Sequence, residues 1–389
     1  MKKITVGLFN DSFPPMVDGV GMVVDNYARR LNKKCNVVVF VPRYKKIYDD
    51  SQLPYKVVRC CSIKIPFLDY SLPLPLFDRK FRHEVKNSNL DIVHIHSPFS
   101  IGKYGIKIGK KRKIPVVGTM HSQFRQDFFR AVHFKFLARF LTKFIVRTFD
   151  RCDQCFAVNS GMADLYYHDY GVKRLPEVLP NATEMEFVKD KKKSYERINS
   201  LHNIEKDDKV FLFVGRINKL KNIFFIVDCL SLLNKRKLNY SYKMLFVGDG
   251  QDFHELKRYI HKKKLDNDVI LCGNVNDREL LRDYYVRSDL FLFPSLYDAS
   301  SIVQIEAASQ KVPTIFLRGS KTSSDITDGI DGFIVSNEEE FADKIDMVMN
   351  DEKLYSNVSL GAYNNVYKNW DTVIDEVYEM YNDMISEGD

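Results

Sequence analysis

The sequence lacks any long apolar run. Across its 389 residues, no segment approaches the roughly 18 uninterrupted apolar residues that a helix needs to cross a bilayer. The first residues, MKKITVGLF, are basic and then apolar, but the apolar stretch is short and the polar residues NDS follow at once, which disfavours a signal peptide. We therefore expect a cytoplasmic protein.

Cysteine is also scarce. Seven cysteines are scattered along the chain, an odd number that fits a reducing compartment. Cys152 and Cys155 form one CxxC motif, but the second pair of a zinc site and the surroundings of a thioredoxin motif are both missing. Buried free thiols are the favoured interpretation. A composition of 45% hydrophobic and 28% charged residues is typical of a globular protein rather than a disordered or fibrous one.

Acidic residues are nearly absent from one segment. Between Lys103 and Arg151 there are 13 basic residues and two acidic ones, in a chain whose net charge is +8. Basic residues recur there every four positions, and at 3.6 residues per turn they drift by about 40° per step and cover one broad helix face. They are Lys135, Arg139, Lys143, Arg147 and Arg151, with Phe134, Leu137, Phe140, Leu141 and Ile145 between them.

Such a basic amphipathic helix has two interpretations. It can lie on an anionic membrane surface, or it can be a core helix whose basic side faces water. Nucleic-acid binding is disfavoured, because the segment has no recognised motif and no interleaved platform of exposed aromatic residues.

Short β-branched runs alternate with stretches of helical periodicity along almost the whole chain. This alternation predicts an α/β protein with parallel sheets and crossover helices. The runs fall into two similar series, which predict two domains at this chain length. The first series is KITVGLF, CNVVVFVP, KVVRCC, DIVHIHS, PVVGTMH and CFAVNS, and the second is KVFLFVG, KMLFVGD, DVILCG, LFLFPS, VPTIFL and GFIVS.

Two further segments bear on the domain organisation. The polar and charged stretch at residues 181–207 predicts a linker between the two series. Near the end of the chain, DTVIDEVYEMYNDM has an apolar face at helical spacing that must pack on another element. That face comprises Val373, Ile374, Val377, Tyr378 and Tyr381.

The chemically informative residues follow strands, where ligands bind to open parallel sheets. After the first strand, Gly19 and Gly21 precede a helix whose free N–H groups can attract phosphate. In VGRINKLKN, Arg216 and Lys221 combine a guanidinium fork and an ammonium that suit a diphosphate. The alternative for the two glycines is a plain tight turn. The alternative for Arg216 and Lys221 is that both are ordinary solvated basic side chains. The loops FVGDG and LCGNV expose backbone against which a nucleobase could lie.

The stretch LYDASSIVQIEAAS joins a strand to a helix and separates Asp298 from Glu306 by seven residues. Ser300 and Ser301 can cap this helix, whose N–H groups would face an anion. A glutamate inside a helix usually faces solvent, but the neighbours of Glu306 are apolar or small.

Three histidines lie in or just after strands. His121 comes directly after the strand in VGTMHSQF, where a catalytic or sugar-binding group is expected. His94 and His96 alternate in VHIHS and share one strand face, but a metal site would need further ligands that the sequence does not offer.

Together these residues resemble a known family. The motifs DSFPPMVDGVG, DIVHIHSPFSIG, TMHSQF, VLPNATE, FVGRINKLKN, FVGDGQ, LFLFPSLYDASSIVQIEAASQKVP and DGIDGFIV are similar, in order and across nearly the whole chain, to family 4 of the retaining glycosyltransferases. The likeness extends to bacterial enzymes that glycosylate diacylglycerol, lipid-linked saccharides or cell-surface polysaccharides.

The resemblance implies a GT-B fold, in which two Rossmann-like, doubly wound domains face each other across a cleft and the last helix crosses back to the first domain. We expect an acceptor-side domain at residues 1–183 with a terminal helix at 368–389, and a nucleotide-sugar domain at residues 184–367.

The resemblance also implies roles for residues. Glu306 matches the glutamate that hydrogen-bonds the donor ribose, and Asp298 matches the acidic residue that orients the transferred sugar. Gly19 matches the glycine loop at the phosphates, and His121 matches the histidine near the reacting face of the sugar. The other donor-binding positions are Gly215, Gly248, Asn274, Val275, Ala299, Ser300, Ser301 and Ile302.

Arg216 and Lys221 would neutralise the diphosphate where other transferases use a cation, so the resemblance implies neither an obligatory metal nor a cofactor. Lys135, Arg139, Lys143 and Arg147 would form the acceptor or membrane face.

Two departures from the family pattern stand out. The family usually has glutamate where this chain has Asp298, a side chain shorter by about 1.5 Å. It also usually has a Gly-Phe-Gly-like run in place of Ala299, Ser300 and Ser301, whose side chains would crowd backbone that normally approaches the sugar. A different donor sugar or a weakened activity would follow.

The sequence therefore predicts a retaining, metal-independent hexosyltransferase. It would move a hexose from a nucleotide-diphosphate sugar, preferably a UDP-sugar, to a lipid-linked or saccharide acceptor in cell-envelope glycan or glycolipid synthesis. It would act in the cytoplasm. If the basic amphipathic helix binds anionic lipid, the protein would act at the inner face of the cell membrane. A degenerate nucleotide-sugar-binding subunit of a partner transferase is an alternative, and an epimerase of the same fold would need an acid/base set that is not seen.

Overall fold

The computed structural model describes residues 3–16, 18–46, 48–64 and 71–387. The chain divides into two compact units, Met1–Asn181 with Trp370–Asp389 and Ala182–Asn369. Among the helices of the described residues, none combines the length and the apolar character that crossing a membrane requires.

The first unit alternates strands and helices along the chain. Its strands are β1 (Thr5–Phe9), β2 (Asn36–Pro42), β3 (Lys56–Cys60), β4 (Ser62–Lys64), β5 (Ser71–Pro73), β6 (Ile92–Ile95), β7 (Val116–Met120), β8 (Gln154–Ala157) and β9 (Glu177–Val178). Its helices begin with α1 (Gly19–Leu31), α2 (Arg79–Asn87), α3 (Ser100–Arg112), α4 (Phe124–Val132), α5 (Lys135–Val146) and α6 (Ser160–Asp164). A seven-stranded parallel sheet has the order β3-β2-β1-β6-β7-β8-β9, and β4 and β5 form a separate antiparallel hairpin.

The second unit repeats this plan. Its strands are β10 (Lys209–Val214), β11 (Tyr242–Val247), β12 (Val269–Gly273), β13 (Leu290–Phe293), β14 (Thr314–Leu317) and β15 (Phe333–Val335). Its helices are α7 (Lys192–His202), α8 (Ile223–Leu233), α9 (Phe253–Lys262), α10 (Arg278–Arg287), α11 (Ile302–Ser309), α12 (Glu338–Asn350) and α13 (Glu352–Gly361). The six strands pair in parallel in the order β12-β11-β10-β13-β14-β15.

The central strands are apolar without alternation because both faces of each sheet are covered. Phe211, Leu212 and Phe213 are consecutive in β10, and all three are fully buried. Each of the twelve predicted strands is present, which confirms the α/β class with parallel sheets. The short β4, β5 and β9 were not predicted, since they carry few apolar residues.

The last helix, α14 (Trp370–Ser386), completes the first unit by packing on α1. Its predicted apolar face is buried at Val373, Ile374 and Val377. At the edge of this contact, Lys34 Nζ lies 2.8 Å from Asp375 Oδ1. The prediction that the terminal helix returns to the first domain is confirmed.

The boundary between the two units lies at Asn181 and Ala182, at the start of the stretch 181–207 that was predicted to hold the linker. The rest of that stretch is not all linker, because it contains helix α7. The contact of α7 with α10 is largely polar, which explains why apolar periodicity gave no signal. Ser194 Oγ donates to Asp283 Oδ1 at 2.6 Å, and Arg197 Nη1 donates to Asp283 Oδ2 at 2.9 Å. Ile198 supplies the buried apolar contact.

Candidate functional site

The carboxyl ends of β10 and β13 lie side by side in the second sheet, where the strand order reverses. Lys221 belongs to the segment after β10, and Asp298 belongs to the segment after β13. Lys221 Nζ lies 2.5 Å from Asp298 Oδ1, and the two side chains are only 19% and 16% exposed. Ligands of open parallel sheets bind at such reversal points. The structure thus brings two predicted catalytic residues together where a ligand is expected.

The loops after β10, β11 and β12 are joined through their backbones. Gly215 N donates to Val247 O at 3.0 Å, and Gly248 N donates to Gly273 O at 2.7 Å. Gly248 has a φ of 141°, and a Cβ there would lie 1.9 Å from the Gly215 carbonyl oxygen, so only glycine fits. The predicted catalytic residue Arg216 and the predicted donor-binding residues around these loops are exposed or half-buried. The donor-binding residues here are Gly215, Gly248, Asn274 and Val275.

Helix α11 begins at Ile302, and Ser301 occupies its N-cap position. The Ser301 side chain makes no capping hydrogen bond, so the predicted serine cap at this position is wrong. The Ser301 hydroxyl therefore does not accept a hydrogen bond from the backbone amides of the first turn of α11. Ala299, Ser300 and Ile302 are half-buried beside it.

Glu306 lies inside α11 and is only 2% exposed, so the solvent-facing alternative is wrong. Its two carboxylate oxygens meet different donors from α10. Arg278 Nη2 lies 2.8 Å from Oε1, and the Tyr285 hydroxyl donates to Oε2 at 2.9 Å. Burial raises the pKa of Glu306, while the charge and the hydrogen bond of Arg278 and the Tyr285 hydroxyl act to lower it. Glu306 is thus a buried carboxylate at least partly compensated by one cation.

The strand order of the first sheet reverses between β1 and β6, and a buried carboxylate lies there too. Asp11 follows β1 and accepts hydrogen bonds from Ser97 Oγ at 2.6 Å and from the amides of Ile101 and Gly102 at 2.8 and 3.2 Å. Burial raises the pKa of Asp11, and these three donors act in the opposite direction. Its carboxylate joins the loop after β1 to the first turn of α3.

Gly19 is exposed and is the first residue of α1. The N-cap before it is Asp18, whose carboxylate accepts from Gly21 N at 3.4 Å and from Ser12 Oγ. The start of this helix therefore already has an anionic group beside its amides. A phosphate at Gly19 would have to approach next to that carboxylate.

The three predicted histidines form a stack in the first unit, in which His94 and His96 are buried and His121 is half-buried. The ring centroids of His94 and His96 are 4.1 Å apart, and those of His96 and His121 are 5.3 Å apart. His94 Nδ1 contacts the Tyr381 hydroxyl at 2.5 Å, and its Nε2 contacts Thr119 Oγ1 at 2.7 Å. Burial lowers the pKa of His94 and of His121 to about 3. All three rings are therefore neutral at physiological pH.

The contact between two of these rings indicates which nitrogens carry protons. His96 Nδ1 lies 3.1 Å from His121 Nε2, and within the described residues the buried His96 Nε2 has no hydrogen-bond partner. A buried N–H without an acceptor is costlier than a lone pair without a donor. We therefore assign the proton of His96 to Nδ1, which donates to His121 Nε2. His121 then carries its own proton on Nδ1 and offers an N–H donor.

Two family models match the chain, one on each side of residue 190. "Glycosyltransferase Family 4" matches residues 17–187, and "Glycosyl transferases group 1" matches residues 194–365. The chain belongs to the GT-B glycosyltransferases of this family 4 and group 1 type.

Curated relatives match the glycosyltransferase over most of its length. It is 25% identical over 373 residues to the alpha-monoglucosyldiacylglycerol synthase of Acholeplasma laidlawii, with 92% of this chain and 91% of that protein covered. It is 27% identical over 357 residues to the synthase of the same name from Streptococcus pneumoniae, with 87% and 77% covered.

Solved structures confirm the GT-B fold of the glycosyltransferase. The HepE protein of Anabaena in complex with UDP superposes with a TM-score of 0.76 at 15% identity, with 98% of this chain and 100% of that chain covered. The same protein has also been solved with UDP-glucose. A likeness at this identity shows the fold alone.

Within the basic segment of the glycosyltransferase, α5 ends at Val146, so Arg147 and Arg151 lie beyond the helix that their spacing predicted. Helix α5 buries only small or β-branched side chains: Ala138, Thr142 and Val146. Its large apolar side chains point outward, with Phe136 84% exposed and Phe144 60% exposed. The interpretation of a core helix with one solvated basic side is therefore wrong. We call the exposed set the aromatic-basic face of α5, and it comprises Phe134, Lys135, Phe136, Arg139, Phe140, Lys143, Phe144 and Arg147.

Metal-ligating side chains gather at one place in the described part of the glycosyltransferase. Ligand atoms of Cys60, Cys61 and Asp78 lie within 4.8 Å of one another. The Asp78 carboxylate already accepts from the amides of Phe81 and Cys61 at 2.9 and 2.8 Å, as the cap of α2. The cluster therefore has a structural explanation. The seven cysteines are free, and Cys152 is buried while Cys155 is half-buried.

Sequence reasoning missed three residues of these sites. Asp11 lies two residues after the end of the first strand, and that position alone was a signal for it. Arg278 and Tyr285 gave no signal, because a basic residue and a tyrosine are ordinary in a helical pattern. Their importance depends on the contact between α10 and Glu306.

Proposed function

We propose that this glycosyltransferase moves a hexose from a nucleotide-diphosphate sugar to a lipid-linked or saccharide acceptor, with retention of configuration and without a metal ion. The observation that carries the proposal is the Lys221–Asp298 pair at the strand-order reversal of the second sheet. An ammonium and a carboxylate held there can meet a diphosphate and a sugar hydroxyl at adjacent positions. The HepE complexes with UDP and UDP-glucose support a UDP-sugar as the first donor to test.

The second unit would hold the donor. Arg216 and Lys221 would stabilise the negative charge that develops on the leaving diphosphate, which is the part a metal ion plays elsewhere. Asp298 would accept a hydrogen bond from a hydroxyl of the transferred sugar, and Glu306 would accept hydrogen bonds from the ribose. The segment 299–302 would present its amides to the sugar hydroxyls.

The reaction would need no covalent nucleophile. The bond from the anomeric carbon to the diphosphate oxygen breaks, the acceptor oxygen bonds to the same face of that carbon, and the acceptor proton passes to the departing diphosphate. Electrostatic stabilisation would then be the main catalytic term. In the first unit, His121 would donate its Nδ1–H to the sugar, and the Gly19 loop would approach the phosphates.

A membrane lipid is the acceptor that the exposed residues favour. The aromatic-basic face of α5 combines aromatic side chains that enter a headgroup region with cations that attract anionic lipids. Both relatives reported above are named as synthases of a glucosylated diacylglycerol. We therefore propose diacylglycerol as the first acceptor to test, at the cytoplasmic face of the cell membrane. These names do not favour the alternative of a degenerate subunit.

The proposal is tested by incubating the purified protein with UDP-glucose, UDP-galactose, UDP-N-acetylglucosamine or GDP-mannose, first alone and then with vesicles that contain diacylglycerol. We expect slow hydrolysis of one donor and faster transfer to the lipid. The product should be α-linked by NMR, and its formation should survive EDTA. Donor binding without turnover would favour the binding subunit, a β-linked product would contradict retention, and inhibition by EDTA would contradict metal independence.

A further inference from the structure

Helix α10 presents two donors to one buried carboxylate. Arg278 and Tyr285 are seven residues apart, which is two helical turns, so they lie on the same face. Each reaches a different oxygen of Glu306, at 2.8 and 2.9 Å. A carboxylate has about four lone-pair positions, so about two remain for a ligand after both protein donors are counted.

The place of Arg278 is not explained by the stability of its own helix. It is the first residue of α10, where the helix dipole disfavours a cation. The helix is already capped by Asp277, whose Oδ1 accepts from the amides of Glu279 and Leu280 at 2.9 and 3.3 Å. The contact with Glu306 supplies the missing reason.

Glu306 depends on that cation for its charge. Burial raises its pKa, and Arg278 is the strongest influence in the other direction. Two further groups act on the pKa of Glu306: the hydrogen bond of Tyr285 lowers it, and the charge of Glu184, from the segment before α7, raises it. Glu184 Oε1 also lies 3.6 Å from Arg278 Nε. Without Arg278, the buried carboxylate would hold its proton to a higher pH.

We propose that Arg278 is a positioning residue for the donor ribose, acting through Glu306. It keeps the carboxylate ionised and turned so that its remaining acceptor positions bind the 2′ and 3′ hydroxyls. Arg278 directly follows the loop 274–277 after β12, which is proposed to contact the base. The same segment would therefore also orient Glu306, which is proposed to bind the ribose. This inference rests on the proposed nucleotide-sugar donor and adds the means by which a ribonucleotide is selected.

The test is calorimetric binding of UDP and of 2′,3′-dideoxyuridine diphosphate between pH 5.5 and 8.5. The variants are Arg278→Gln, Arg278→Lys and Glu306→Gln. The matched control is Arg236→Gln, since Arg236 Nη2 lies 2.6 Å from Asp343 Oδ1 in the same unit, but that carboxylate is 67% exposed. Thermal unfolding and circular dichroism establish that each variant is folded.

The wild-type protein and Arg236→Gln should prefer UDP to the dideoxy analogue at every pH. In Arg278→Gln we expect this preference to fall as the pH is lowered, by up to about tenfold per pH unit below the pKa of Glu306 in that variant, because protonation removes the ionised acceptor. The preference should recover as the pH rises, Arg278→Lys should retain it, and Glu306→Gln should lack it at every pH.

A purely structural role for Arg278 predicts something different. UDP and its analogue would then lose affinity equally in Arg278→Gln, without a dependence on pH, and that result would overturn the inference. Should Arg278→Gln not fold, a pH-independent loss of preference in Arg278→Lys would overturn it equally. Failure of the wild-type protein to bind UDP, GDP or ADP would instead refute the proposed donor, so the two failures are distinguishable.

Discussion

Lys221 and Asp298 form a short ion pair, 2.5 Å from Nζ to Oδ1, between segments that follow the adjacent strands β10 and β13. Because both side chains are largely shielded from solvent, the pair restrains the lysine more than an exposed ion pair would. The aspartate in place of the family's usual glutamate still reaches the lysine. The carboxylate of Asp298 and the ammonium of Lys221 thus lie together at the edge of the sheet despite the shorter side chain.

Replacing Lys221 with methionine should lower kcat for sugar transfer by about a hundredfold or more, as does the loss of one group that stabilises an anion in a transition state. Lys219→Met is the matched control, because Lys219 lies in the same turn but is 59% exposed and pairs with Glu255 at 2.8 Å. Steady-state kinetics with UDP-glucose measure both. Near wild-type turnover in Lys221→Met would refute the role in leaving-group stabilisation.

Gly248→Ala should disrupt the loops that are proposed to hold the donor. The new Cβ would lie 1.9 Å from a backbone oxygen, which no side-chain rotation can relieve. We expect the free energy of unfolding to fall by more than the ~1 kcal/mol of a positive-φ glycine replacement alone, and UDP binding to be lost. Gly319→Ala is the control, since Gly319 has a φ of 88° with open space around it. Equal urea midpoints for the two variants would contradict the steric argument.

The strands could be predicted from the sequence because a run buried on both faces is apolar whatever its partners are. The small neighbours of Glu306 distinguish it in the sequence, but Arg278 and Tyr285 meet it only through the packing of two helices, which no local pattern encodes. The periodicity of α5 likewise located its basic residues without showing which side faces the protein. The burial of Ala138 and Thr142 and the exposure of Phe136 and Phe144 show that these phenylalanines point outward.

Substitution of the aromatic-basic face of α5 should weaken membrane binding in two distinguishable ways. Phe136→Ser with Phe140→Ser should reduce sedimentation with anionic vesicles at both low and high salt, because apolar insertion is lost. Lys135→Gln with Lys143→Gln should remove mainly the salt-sensitive part, at about 1 kcal/mol for each cation near an anionic surface.

Leu201→Ser is a suitable control for the aromatic pair, because Leu201 is an exposed apolar residue of α7, at 54% exposure, in the other unit. It should sediment like the wild-type protein. If the wild-type protein does not sediment with vesicles of any composition, a soluble acceptor is indicated. If it binds neutral and anionic vesicles equally, the basic residues do not contribute to membrane binding.

The histidine stack should make the first unit less stable in acid. An unfolded imidazole titrates near 6.5, whereas burial lowers the pKa of His94 and His121 to about 3. Between these values the unfolded chain binds more protons than the folded one. The free energy of unfolding should therefore fall with falling pH, by up to about 1.4 kcal/mol per pH unit for each histidine.

Calorimetric unfolding between pH 7.5 and 5 isolates this contribution when His94→Asn is compared with the wild-type protein. The substitution should lower the free energy of unfolding at pH 7.5, because contacts to Tyr381 and Thr119 are lost. It should also make the slope of that free energy against pH shallower, by up to about 1.4 kcal/mol per pH unit, the contribution of one proton. His83→Asn, on the exposed surface of α2, is the control for the loss of one imidazole outside the stack. Parallel pH profiles for wild type and His94→Asn would mean that the imidazole can be protonated in the folded protein, and the assignment of a neutral stack would then fail.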